Sequence, residues 1–271
     1  MWDCPYFLTD FKGDRIMIVN DDIKQMIHKG MIFNTIATDY EGIIDDLATW
    51  SSDTFETEIY YEETMPCIIP KDVYDSLKGE PLKRLRQEYA NSFGQKIDRS
   101  LMLKVLSNAM YHKTIDSTTI SVEDIENEIN NAVESIADPI GIIVDHRLIR
   151  TLFYMKNFDF IYPPEIVNLP NHNIIGCWGE DNIPIIISSM KIDVGRFTQP
   201  IIAVIGNESL GYVIQNLFVS TDEYSNYLDY VKTNDILFNL SFSSDDVVLK
   251  LSMDYAVKAL NNNMAALHVL V

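Results

Sequence analysis

Over residues 81–110, apolar side chains recur at spacings of three and four: Leu82, Leu85, Tyr89, Phe93, Ile97, Leu101 and Val105. That period predicts one long amphipathic helix with a continuous buried stripe. Pro81 suits its first position, where a missing N–H costs nothing, and Gly94 is its weak point. Its other faces carry Lys83, Arg84, Arg86, Lys96, Arg99 and Lys104. A second helical period runs through Val122, Ile125, Ile129, Val133 and Ile136. Ser121 predicts its N-cap and Asp124, three residues on, a variant of the capping box. Asp138-Pro139 ends it, because the residue before proline avoids the helical region. A short all-apolar strand over 140–144 follows, and Asp145 predicts the cap of a third helix over 146–156.

After an irregular loop with three prolines (157–173), the pattern turns to strands at 173–178, 183–189, 201–205 and 211–219. Near the C-terminus two alternating runs stand out. Ile236, Phe238, Leu240 and Phe242 fall on one face, as do Val247, Leu249, Leu251, Met253, Tyr255 and Val257. With "SSDD" at 243–246 as the turn, they predict a long antiparallel hairpin with one apolar face. Three asparagines (261–263) then precede a last apolar run, "MAALHVLV". Such a terminus reads as an integral strand, and a long exposed edge is a hazard unless covered. The expected cover is the chain's own long helix or another copy of the protein.

The N-terminal part is less regular. Residues 1–33 hold short apolar clusters without a strong period. Residues 34–70 hold an acidic block that includes Asp39, Asp45, Asp46, Glu56, Glu58, Glu62 and Glu63, with no Lys or Arg between Lys29 and Lys71. Within it "FETEIYYEE" (55–63) is rich in β-formers and predicts a strand.

Composition narrows the class. The chain has 271 residues, 47% of them hydrophobic and 23% charged, ample for a packed core. Lys and Arg number 21 against 40 Asp and Glu, a formal charge of −19. That balance disfavours sequence-blind nucleic-acid binding, which depends on cations neutralising phosphates. The opening residues lack the basic-then-apolar layout of a signal peptide, and the longest apolar runs are far short of the ~20 residues of a membrane span. Three scattered cysteines, Cys4, Cys67 and Cys177, make neither a disulfide framework nor a zinc site. Synthesis in a reducing, intracellular place is the expectation.

Candidate chemistry adds little. Phosphate-binding, dinucleotide-binding, zinc-protease, redox and nucleophile-elbow motifs are missing. The five histidines (His28, His112, His146, His172, His268) are far apart in sequence. His146 reads as an exposed first-turn residue, and His268 as one pointing away from the face of Leu267 and Val269. Each cysteine reads as a small buried hydrophobe. The acidic block lacks the tightly spaced oxygens of a calcium loop. No catalytic, cofactor-binding or metal-ligating residue is therefore assigned, and no cofactor is expected.

The order of parts resembles the major capsid proteins of tailed bacteriophages, the Hong Kong 97-like fold that encapsulins share. "ADPIGIIVDHRLIRTLF" is similar to the helix–strand–helix passage of that family's axial domain, "NIIGCWGEDNIPIIISS" to a later strand with an insertion, and "AVIGNESLGYVIQNLFV" to a Gly-led strand followed by a Tyr-bearing one. "ALNNNMAALHVLV" is similar to the family's closing turn and last apolar strand, without the usual proline and with an extra residue. The proline that commonly follows the axial-domain strand is replaced by "DHR". The match covers most of residues 55–271 and is weaker over 1–54.

The resemblance implies an α+β fold: an N-terminal arm (1–33), an extended loop (34–70), a peripheral domain with a spine helix (71–118), an axial domain (119–245) and terminal strands returning to the peripheral domain (246–271). It implies a non-enzymatic subunit that assembles with itself, as pentamers and hexamers, into an icosahedral virion shell enclosing DNA without reading its sequence. The protein would be made in a host bacterial cytoplasm, with scaffolding, portal and decoration proteins as further partners and no membrane. With no long coiled-coil pro-segment after Met1, any scaffold is expected to be separate or already removed. Two other readings compete: an encapsulin-like compartment with protein cargo, and a soluble α+β enzyme or ligand-binding protein without a recognisable motif.

The charge asymmetry adds an expected interface. Glu56, Glu58, Glu62 and Glu63 of one subunit would lie over Lys83, Arg84 and Arg86 of its neighbour, the bland alternative being two solvated faces. Exposed pairs contribute only ~0–1 kcal/mol each, so they would orient subunits and suppress wrong pairings. Apolar burial and strand pairing would supply most of the binding, over the roughly 2,000–5,000 Å² of an obligate interface.

Overall fold

The structure is a computed structural model, describing residues 7–9, 15–18, 21–40, 59–64, 67–76, 80–116, 121–161, 173–190, 193–194, 197–223 and 247–270. The first half holds β1 (Phe7–Thr9), β2 (Arg15–Ile18), α1 (Asp21–Gly30), a 3-10 turn (Phe33–Thr35), β3 (Thr38–Asp39), β4 (Ile59–Glu63), β5 (Cys67–Ile69), α2 (Lys71–Ser76) and α3 (Glu80–Asn108). The middle holds β6 (Tyr111–Asp116), α4 (Val122–Glu134), β7 (Pro139–Asp145), a 3-10 turn (His146–Leu148), α5 (Ile149–Leu152), β8 (Phe158–Phe160), β9 (Ile174–Trp178) and β10 (Ile183–Ser188). The rest holds β11 (Asp193–Val194), β12 (Phe197–Thr198), β13 (Ile201–Gly206), β14 (Leu210–Glu223), β15 (Val247–Ala259) and β16 (Met264–Leu270).

Two seven-stranded sheets organise the molecule. One has the order β6-β16-β13-β7-β10-β9-β8. Both of its faces are covered, which explains its unbroken apolar runs. Ile142, Val144, Ile202 and Val204 face α4, which presents Ile125, Ile129 and Ala132. Ile143, Ile186, Ala203 and Ile205 belong to the other core, with Ile97, Leu101 and Val105 of α3. The second sheet runs β1-β2-β14-β15-β4, with β3 against β14 and β5 against β15. Its Leu251, Met253, Tyr255 and Val257 join that same core. The long helix thus fills the space between the sheets, as its stripe predicts. Ser121 caps α4, and the capping box with Asp124 is complete.

Four expectations change. Residues 1–33 include a helix, α1, whose Ile23, Ile27 and Met31 are buried. Its four-residue spacing is legible, but ten residues make too short a run to stand without tertiary packing. The third helix shrinks to a 3-10 turn and α5. Asp145 does cap, accepting from the Arg147 N–H at 2.9 Å. The chain is then drawn back to the sheet: the Asn157 N–H donates to Glu126 at 2.7 Å and Phe158 pairs opposite Trp178.

The predicted closing hairpin is also replaced. Its first strand, 236–243, lies outside the described residues. β15 instead pairs along its length with β14, from Leu210↔Ala259 to Glu223↔Val247. Its other edge takes β4 and β5, so both sides are filled. Finally, β16 is covered by neither the long helix alone nor another copy. It lies between β13 and β6 within its own sheet, antiparallel to one and parallel to the other.

Two of the three asparagines now have a physical account. The Asn263 carboxamide grips the turn before β7: the Ala137 N–H donates to Oδ1 at 2.8 Å, and Nδ2 donates to the Ala137 carbonyl at 2.7 Å. The Asn263 carbonyl accepts from Ser209 Oγ (2.9 Å) and the Gly206 N–H (3.0 Å). Asn261 Nδ2 donates to the Glu208 carbonyl at 3.1 Å. This polar turn knots the ends of β7, β13 and β15.

Candidate subunit interface

The sequence places two charged groups of residues here; of these, Glu62 and the start of α3 lie apart within one chain. Strand β4 runs antiparallel on β15, with Tyr60 opposite Tyr255 and Glu62 opposite Met253. The Tyr60 and Tyr255 rings stack with centroids 5.1 Å apart, and the Tyr255 hydroxyl lies 3.1 Å from Ser100 Oγ of α3. On this side Glu62 forms an ion pair with Lys96 of α3. Ile59 and Tyr61 alternate to the opposite side and are 47% and 62% exposed. Glu63 ends the strand, opposite Ser252. Glu56 and Glu58 lie outside the described residues.

Lys83, Arg84 and Arg86 stand in the first turns of α3. Arg84 is exposed and Arg86 half-buried. Neither makes an ion pair among the described residues, and Arg86 Nε is buried without a hydrogen-bond partner. Lys96 lies ten to thirteen residues further along, roughly 15–20 Å at 1.5 Å per residue. Within one chain, then, Glu62 is committed to Lys96, and the basic start of the helix is not its partner.

Sequence reasoning missed the centre of this region. Asp98 of α3 is only 1% exposed. Its carboxylate accepts the Ile32 N–H at 2.7 Å and the Phe33 N–H at 3.1 Å, fixing the turn that follows α1. Burial pushes its pKa up to about 7 against the opposing pull of those two donors. A cavity of about 520 Å³ opens beside it, lined by Gly30, Gln95, Lys96, Arg99, Asn173 and Ser189 among others. No periodicity marks Asp98, which lies beside Ile97 in an otherwise ordinary stripe. A half-buried polar cluster joins α1 to β3: Lys24 Nζ and His28 Nε2 each approach Asp39 Oδ2 at 3.5 Å. Burial lowers the His28 pKa, with Asp39 pulling the other way.

The remaining candidates are quiet. Cys67 and Cys177 are half-buried, and burial raises both thiols above their ordinary range. His146 is exposed beside Asp145, and His268 lies on the face opposite Leu267 and Val269, its pKa lowered by burial. His172 and Cys4 lie outside the described residues. Among the described residues no three His, Cys, Asp or Glu converge as a metal site, and no helix is long and apolar enough to cross a membrane.

No protein-family model matches the chain. No curated protein matches it by sequence either. Solved structures do. That of Mycobacterium phage Ogopogo superposes with a TM-score of 0.53 at 12% identity, covering 79% of this chain and 76% of that one. Mycobacterium phage Che8 gives 0.52 at 11% identity over 88% and 90%. The capsid structure of Cyanophage P-SCSP1u gives 0.50 at 10% identity over 79% and 73%. The likeness establishes an α+β fold of the Hong Kong 97-like capsid type.

Proposed function

We propose that this chain is a major capsid protein, assembling with itself as pentamers and hexamers into a closed icosahedral shell around phage DNA. The observation that carries the reading is the match in fold to solved phage structures over most of both chains. The layout agrees with it. A subunit built around a long helix between two sheets has several surfaces that could meet copies of itself. A net charge of −19 is compatible with an interior that does not hold phosphates tightly. The shell would reside in the virion after synthesis in the host cytoplasm, with scaffolding, portal and decoration proteins as further partners.

The interface reading belongs to the same proposal. Arg84 and Arg86 have no ion pair among the described residues, in a chain where acids outnumber bases 40 to 21. They and Lys83 would receive the acidic segment, Glu56, Glu58 and Glu63 included, of a neighbouring copy. Glu62 could contribute only by leaving Lys96.

Negative-stain microscopy and light scattering of the purified protein test the function. Closed particles containing DNA when isolated from infected cells are expected. A lasting monomer at micromolar concentration overturns the reading, and particles filled with one enzyme and no nucleic acid would place the chain with encapsulin-like compartments instead. Reversing Lys83, Arg84 and Arg86 to Glu should block closure or make it salt-dependent; normal shells at every ionic strength would dismiss the charge pairing alone.

A further inference from the structure

The turn after α1 is tied to the long helix through one polar side chain. Oδ2 of Asp98 accepts the Ile32 N–H and Oδ1 accepts the Phe33 N–H, so a single buried carboxyl gathers two consecutive backbone donors. The charges around it are engaged elsewhere or face water. On α3 itself, Lys96 is taken by Glu62 of β4, and Arg99 is exposed where it lines the cavity. On α1, Lys24 and His28 approach Asp39 of β3. From β14 comes the buried Tyr212, which meets the His28 ring edge-on at 5.7 Å. Burial first, then the charges of Asp39 and Asp98, raise its phenol above the ordinary range. No cation is paired with Asp98 among the described residues.

A carboxyl in this setting keeps its proton until about pH 7, whereas in open water it gives the proton up near its ordinary 3.8. The cavity of about 520 Å³ beside it has polar groups of Ser92, Gln95 and Asn173 on its walls. Water therefore has a way to the carboxyl once the turn lifts.

We infer that Asp98 is a proton-bearing latch: while it keeps its proton the turn after α1 stays seated on α3, and parting of the turn toward the cavity releases that proton to water. The device concerns how the N-terminal part of the subunit is seated, and it stands apart from the shell-forming reading. Opening and proton release are one event. Between about pH 4 and about pH 7 the open form is ionised and the closed form is not, so each pH unit favours opening about tenfold. His28 acts with the opposite sign. Burial lowers its pKa, so opening takes up a proton there and acid favours it. Comparison with Asp98→Asn isolates the Asp98 part.

Hydrogen exchange of the full chain, followed by mass spectrometry from pH 4.5 to 7.5 and corrected for the intrinsic exchange rate, tests it. Peptides spanning residues 31–36 should exchange faster than those of β13, because the turn opens without the sheet. Across that range their protection in the wild type should fall at least tenfold relative to Asp98→Asn. Exchange of 31–36 only in step with β13 means there is no separate joint and overturns the inference. A ratio of wild type to Asp98→Asn that stays flat with pH overturns it as well. Should Asp98→Asn fail to fold, His28→Gln serves in its place, since it removes the opposing titration and keeps the latch. Protection of 31–36 in that chain should fall at least tenfold from pH 4.5 to 7.5, and a flat profile there dismisses Asp98 as the latch.

Discussion

Asp98 is a carboxyl held almost wholly out of water by a helix that otherwise presents only apolar groups to that core. Its pKa rises from an ordinary 3.8 to about 7 because burial outweighs the two N–H donors. The folded state therefore binds this proton more tightly than the unfolded chain does. The resulting stability is complete below pH 4 and is lost as pH climbs through about 7. At ~1.4 kcal/mol per pKa unit, urea unfolding should show wild type losing about 3–4 kcal/mol relative to Asp98→Asn between pH 4 and pH 7.5. Parallel pH profiles of the two proteins would disprove the burial effect. Asn263 is the second decisive residue. Asn263→Ala removes both carboxamide bonds to Ala137 and leaves its N–H and carbonyl seeking water. A loss of roughly 1–3 kcal/mol is expected from thermal unfolding. Neither residue could be singled out from the sequence, because each acts on a segment far away along the chain.

Among the elements, the long helix was the most legible, and its one anomaly has a structural cause. Gly94, which looks like a weak point, is where α1 crosses. A Cβ there would meet the Ile27 carbonyl at 3.0 Å and Met31 Cγ at 3.2 Å. Close approach of the two helices needs the missing side chain more than the helix needs propensity. Gly94→Ala should gain helix propensity and lose packing, ending within about 1 kcal/mol of wild type. Gly94→Leu should cost ~1–3 kcal/mol or more through overpacking. Equal unfolding midpoints for all three would refute the crossing argument. The cap of α4 was equally legible, since a capping box is a local device; Ser121→Ala should cost about 1 kcal/mol in the same assay. Strand positions were readable from alternation, but their partners were not. Val247–Ala259 was expected to fold back on the segment just before it, yet β14 and β4 win its two edges.

At the scale of the whole molecule, the last strand changes what truncation should do. Were β16 an exposed border awaiting another copy, deleting 264–271 would leave a folded subunit unable to assemble. Because it is the strand between β6 and β13, its loss opens the sheet and strips Ala265, Leu267 and Val269 from one core. The truncated chain is expected to be insoluble or to lack native far-UV circular dichroism. A soluble, folded, non-assembling product would restore the border view. The surfaces proposed to meet other copies lie elsewhere, at β4 and along the basic start of α3.

What the sequence alone determined was local: helix periods, caps, apolar runs and the balance of charge. These depend on neighbours within a few residues, where spacing and backbone geometry suffice. The order of elements also carried the resemblance to the capsid fold. Which strand fills which edge, why three asparagines interrupt a sheet, and where a carboxyl is buried were decided only in three dimensions. Each is a competition among partners distant in sequence, won by whichever buries the most apolar surface and leaves the fewest backbone groups unpaired.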